Sequence, residues 1–256
     1  MIARRLVIRL WLPLLLLAAW EVASRTKLVD PLFFPPPSSI VPSARYYWLH
    51  GDLARHVGAT FHRLGLGLAI GGGLGLLAGV LLGAVVFLRR SVEPLLVAIY
   101  SLPKISLLPL MILLLGIGET PRLLLVVLAA FLTMTLQVAD AVRGIPPLYL
   151  DVAHSCGASP WLIFRRVYLP ATLPQAFTGL RLAVGRALLA VISVELINCQ
   201  EGIGSMIFMA WQTFAVDKLY VGITAVSAIG ITSTALLRYA EAKFAPWQAS
   251  QSGVER

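Results

Sequence analysis

Polar positions are sparse along this chain, and where they fall they bracket long apolar runs instead of alternating with apolar ones. The runs cover roughly Leu6 to Val22, Leu64 to Leu88, Val92 to Ile117, Arg122 to Val138, Phe177 to Ile197 and Leu219 to Leu237. Each reaches the ~17 residues that a helix needs to cross the hydrocarbon core of a bilayer. Hydrocarbon offers backbone N–H and C=O groups no partner, so runs of this length must satisfy them internally, as helices. The pattern therefore predicts an all-α integral membrane protein with six transmembrane helices.

The punctuation between and within the runs refines this expectation. Arg4 and Arg5 precede the first run as they would in a signal peptide, but Glu21 and Arg25 follow it without a small-residue cleavage site, so it reads as a retained span. The segment that follows carries Pro35, Pro36 and Pro37, which cannot continue a helix, and then Ser38 and Ser39, which suit a helix cap. A short interfacial helix is expected there, with Tyr46, Tyr47 and Trp48 at headgroup level. His50, His56 and His62 lie six residues apart, a spacing that scatters them around a helix and argues for solvated or interfacial histidines instead of a metal site. Gly71, Gly75, Gly79 and Gly83 recur every four residues, leaving one helix face without side chains and requiring another helix to pack closely against it. Pro103 and Pro109 interrupt the third run and predict a kinked helix lining a cavity.

Composition agrees with a lipid environment: 58% of residues are hydrophobic, 13% are charged, and the mean hydropathy is +0.84. In a soluble protein the net charge of +9 would suggest nucleic acid; here many basic residues flank the apolar runs, as orientation signals do, and no nucleic-acid partner is expected. With the N-terminus in the cytoplasm, Arg4, Arg5, Arg9, Arg89, Arg90, Arg143, Arg165, Arg166, Arg238 and Lys243 fall on the cytoplasmic side. Arg25, Lys27, Arg45, Arg55, Arg63, Arg122 and Lys218 fall on the other, so the bias is moderate. An even number of spans places both termini in the cytoplasm. The organisation is one transmembrane domain over 1–256: first span 6–22, periplasmic segment 23–63, core spans 64–240 enclosing a cytoplasmic loop 142–175, and a tail 241–256. Cys156 and Cys199 lie on opposite sides in this topology, which excludes an internal disulfide and a cysteine metal cluster.

The cytoplasmic loop is too polar to span and too patterned for a linker. A helix starting near Asp151 would place an acid at its positive end, Ala153 and Gly157 would share one face and permit close approach, and Pro160 would mark the helix's end. Trp161, Ile163, Phe164 and Tyr168 supply an apolar cluster able to hold the loop rigid. The segment resembles the coupling loop of binding-protein-dependent ATP-binding-cassette importer permeases: Asp151, Ala153, Gly157, Val167, Leu169 and Pro170 match that pattern, with Asp151 in place of Glu, Val152 in place of the first Ala and Val167 in place of Ile. Further stretches are similar to the subgroup serving sulfonates, taurine and nitrate, namely Leu32 to Pro37, Leu102 to Leu110, Gly116 to Glu119, and Glu195 with Gly202-Ile203-Gly204. The resemblance implies a type I ABC importer permease fold with a cytoplasmic coupling helix, in the bacterial inner membrane. It also implies a homodimer of permeases, two ABC ATPase subunits and a periplasmic solute-binding protein, with the loop from Asn198 to Asp217 as either a short gating helix pair or a segment packed at the membrane interface. No Gly-x4-Gly-Lys-Ser/Thr occurs in the chain, so ATP and magnesium are expected on the partner ATPase, and neither catalytic residues nor a cofactor or metal on this chain.

Lys104 and Arg186 fall midway along the third and fifth runs, where a cation costs about 2.5–3.5 kcal/mol on insertion scales. Two readings offset that cost. One is an ion pair of Arg186 with Glu195 of another helix or copy, since nine residues of separation put the two on opposite faces of their own helix. The other is a pathway lined by Lys104, Arg186 and Glu195 in which the cations attract an anionic solute such as a sulfonate, carboxylate or nitrate. An intramembrane enzyme would need a nucleophile beside a base, and Ser193 has none in the sequence; a secondary transporter would ordinarily show internal repeats, and none is apparent.

Overall fold

A computed structural model describes residues 2–198 and 200–246, and the side chains of all of these but residues 2–10 and 198. Cys199 and residues 247–256 of the C-terminal tail lie outside the described residues.

The described residues form helices, without strands, in the order α1 (Ile2–Arg25), α2 (Pro37–His50), α3 (Leu53–Ala84), α4 (Val86–Ser101), a 3₁₀ turn (Lys104–Leu107) leading into α5 (Leu108–Leu115), and α6 (Glu119–Arg143). There follow α7 (Pro147–Ser155), α8 (Pro160–Ile163), a π-helical turn (Phe164–Tyr168), α9 (Leu169–Asn198), α10 (Ile203–Gln212) and α11 (Val216–Phe244). Among the described residues α3, α6 and α11 are long and apolar enough to cross a membrane, and α4 with the segment Lys104–Leu115 makes a fourth if the bent pair is one span. The all-helical class is as expected. Several limits are not: the second apolar run ends at Ala84, and the residues after it open α4.

The break expected in the third run is sharper than a kink. Pro103 forces Leu102 into an extended conformation (ψ 140°), and the helices on either side meet at 94°. Pro109 causes no kink. It sits in the first turn of α5, where a missing N–H costs nothing. Pro37 likewise occupies the first turn of α2, and the serines beside it do not cap the helix through their side chains. Ser38 instead contacts Glu21 and Arg25 of α1, and Ser39 donates to the Pro36 carbonyl.

The described residues form two compact units, residues 2–59 with 195–198 and 200–227, and 60–194 with 228–246. In the first, Ile40, Leu53, Met206 and Val221 form a buried cluster edged by Trp20 and Tyr47. In the second, α3 packs on α6 along the glycine stripe. A Cβ on Gly71 would collide with the Val127 carbonyl oxygen; one on Gly75 would lie 2.8 Å from Met134 Cβ, and one on Gly79 2.7 Å from Val138 Cβ. Gly83 continues the stripe against Val142, and the structure adds Gly67 to it, against Val126. Close approach of backbones is what small residues supply where lipid gives no hydrophobic drive between helices. Beside the seam, Arg63 is 6% exposed and pairs bidentately with Glu119 at 2.8 Å, tying α3 to the start of α6.

Candidate functional site

The broken span builds a cleft. Where α4 stops at Ser101 its last carbonyls lose their helical partners, and the Lys104 ammonium donates to one of them, Tyr100 O, at 3.0 Å. The same ammonium lies 4.9 Å from the centre of the Tyr100 ring. On α9, Ala183, Ala187, Val191 and Val194 are buried, which turns Arg186, Leu189 and Ser193 to a different side. The Arg186 guanidinium lies 5.5 Å from the Tyr100 ring centre, so one aromatic ring receives both cations. The cleft between them has a volume of ≈ 330 Å³ and is lined by Tyr100, Lys104, Leu125, Arg186, Leu189 and Ser193 among others. Among the described residues neither cation has a carboxylate at ion-pair distance.

Lys104 and Arg186 are thus brought together. Glu195 serves a different place. It is 1% exposed, and its Oε2 accepts from the Gly204 N–H at 3.0 Å, at the start of α10. His56, also 1% exposed, accepts from the Gly202 N–H through Nδ1 at 3.0 Å. Gly202 has a φ of +130°, and a Cβ there would strike the Glu195 carboxylate, so glycine is required on both counts. His56 is therefore buried and structural, whereas His50 and His62 are exposed as expected. The expectation of solvated or interfacial histidines fails for His56: His50 ends α2 while His56 and His62 lie on α3, so spacing along one helix does not relate all three, and His56 meets a turn 146 residues away.

The loop after α6 is ordered differently from its sequence reading. Its first helix, α7, begins at Pro147, so Asp151 is mid-helix and exposed instead of at the positive end. The helix ends before Pro160. Gly157, at φ +69°, follows the C-cap, with Gly157 N–H donating to His154 O and Ala158 N–H to Ala153 O, the paired bonds of a Schellman turn. Gly157 thus ends the helix instead of sharing a face with Ala153, and Pro160 opens α8, capped by Ser159. Ile163 is buried, Trp161 stacks on Phe164 at 5.4 Å, and Phe164 and Tyr168 pack on the cluster of Val80, Met134, Val138, Val142 and Ala176. With the loop so anchored, Leu148, Tyr149 and Val152 remain exposed and border an open apolar groove with Val167 and Pro170. Leu169 starts α9, half-buried. Tyr100 and the Arg63–Glu119 pair were missed in the sequence; an aromatic four residues before an intramembrane lysine was the available signal for Tyr100.

Residues 71–246 match the family described as binding-protein-dependent transport system inner membrane component. The chain belongs to that family. It is 31% identical over 247 residues to the putative aliphatic sulfonates transport permease SsuC of Bacillus subtilis (strain 168), covering 95% of this chain and 88% of that protein. It is 29% identical over 237 residues to the taurine transport system permease TauC of Escherichia coli (strain K12), covering 91% and 86%. Its fold is that of a chain in the inward-facing MetNI methionine ABC transporter, with a TM-score of 0.62, 22% identity, and 79% and 97% of the two chains covered. The protein is an ABC importer permease of the inner membrane, homologous to sulfonate and taurine permeases.

Proposed function

We propose that this permease docks a separate ATPase through α7 to α9 on the cytoplasmic side and moves a small solute bearing an oxyanionic group, of the sulfonate, taurine or nitrate class, from periplasm to cytoplasm. The observation that carries the docking role is the groove bordered by Leu148, Tyr149, Val152, Val167 and Pro170, apolar and exposed on a loop pinned from behind by Phe164 and Tyr168. A rigid helix presenting such a face suits a groove-binding contact through which nucleotide-driven movement can pass. Asp151, Ala153, Gly157, Val167, Leu169 and Pro170 contribute in different ways: Val167 and Pro170 to the groove, Ala153 and Gly157 to the turn that ends α7, Leu169 to the start of α9, and Asp151 an exposed charge midway along α7. In the assembly two copies of this chain pair with two ATPases that hold ATP and magnesium, and a periplasmic binding protein delivers the solute. Both termini are cytoplasmic, and access alternates between the two sides of the membrane. The sulfonate and taurine relatives support the solute class, as does the pair of cations in the Lys104–Arg186 cleft.

The test is co-purification from membranes. Val152→Arg is expected to leave the permease inserted at normal abundance while the ATPase is lost from it; an ATPase still bound stoichiometrically would sink the docking assignment. Topology is checked on the exposed thiol of Cys156, which an impermeant maleimide should label in inside-out vesicles and not in intact cells.

A further inference from the structure

The Lys104–Arg186 cleft holds two positive charges, and among its lining residues there is no Asp or Glu; the remainder is aliphatic apart from Tyr100, Ser101 and Ser193. A zwitterionic solute would therefore find a partner for its anionic end and repulsion for its ammonium. A solute with two acidic groups would balance both cations, one as a planar guanidinium fork and one as an ammonium fixed by Tyr100 O. Low-dielectric walls make such differences larger than they would be in water.

We propose that this cleft is a charge-selective solute site within the permease itself, taking oxyanionic solutes without an ammonium and preferring dianions, such as a sulfonate that also carries a carboxylate, while disfavouring zwitterionic aminosulfonates. Arg186 and Lys104 determine the selectivity, and Ser193, two helical turns from Arg186, donates a hydrogen bond to a bound oxyanion. This deepens the pathway reading above and rests on it.

The experiment measures binding of sulfoacetate, ethanesulfonate and taurine to the permease–ATPase complex in lipid nanodiscs without the binding protein, whose own preference would mask the site. The expected order is sulfoacetate, then ethanesulfonate, then taurine, with taurine roughly tenfold or more weaker than ethanesulfonate, the scale of a single uncompensated like-charge contact. Arg186→Gln should compress that order to within about threefold, while Arg186→Lys, which keeps the charge, should retain it. Taurine binding as tightly as ethanesulfonate, or no measurable binding of any of the three, would overturn the inference. If Arg186→Gln weakens all three equally, the cleft binds solute without selecting by charge, and the inference fails while the pathway reading stands. If Arg186→Gln changes neither binding nor cellular uptake, the pathway reading falls with it.

Discussion

The seam between α3 and α6 and the cleft between Lys104 and Arg186 lie in the same compact unit, and they follow opposite rules. Along the seam the side chains have been removed so that backbones touch: Gly71, Gly75 and Gly79 leave no room for a methyl group against α6. At the cleft, long charged side chains are retained at a cost, and the span beside them is broken at 94° so that space remains. One region is closed to every side chain, and the other leaves an open cleft. The difference shows that small residues at four-residue spacing report closure, while an intramembrane cation beside a proline break reports opening.

The comparison breaks most severely at Gly71. Gly71→Val would drive its side chain into the Val127 carbonyl, which cannot rotate away, and is expected to cost about 3 kcal/mol or more, read as loss of folded permease from membranes by size-exclusion chromatography. Gly79→Ala meets Thr135 O and Val138 Cβ, each at 2.7 Å, and α6 must shift to accept it; a loss of about 1–2 kcal/mol is expected, seen as a lower thermal midpoint in detergent. A wild-type midpoint for Gly79→Ala would mean that the seam is looser than its geometry implies. At the cleft the signs reverse. Ser193→Ala should leave the midpoint unchanged and lower solute affinity about tenfold or more, the effect of one hydrogen bond to a charged partner. A fall in midpoint without a fall in affinity would make Ser193 structural. Gly73 closes the series: it is on the same helix as Gly71, but nothing lies within 4 Å of its Cβ position, so Gly73→Ala should be neutral within about 0.5 kcal/mol or slightly stabilising.

The all-helical, apolar character of the chain, the glycine seam and the two cations within apolar runs were legible because each is a local signal whose physics acts within one helix: apolar length, four-residue spacing, the cost of charge in lipid. Of the six spans expected, three of the described helices, or four with the bent pair, are long and apolar enough to cross a membrane. The residues that anchor the loop after α6, Ile163, Phe164 and Tyr168, were legible for the same reason, as a local apolar cluster. Where the loop's helices start and stop was not, because Gly157 can either extend a helix face or end it, and the two Schellman bonds that decide between them form only in the folded turn.

The sequence by itself determined that this chain lives in lipid as helices, that α3 must meet a neighbour face to face, and that Lys104 and Arg186 need a reason to be where they are. Tertiary packing alone decided which neighbour α3 meets and what surrounds the two cations. It set α3 against α6, placed Lys104 and Arg186 over the single ring of Tyr100, and assigned Glu195 and His56 to the turn before α10. Periodicity within a helix states which face is special. Partners 50 to 150 residues away in the chain are selected by packing, to which local spacing is blind.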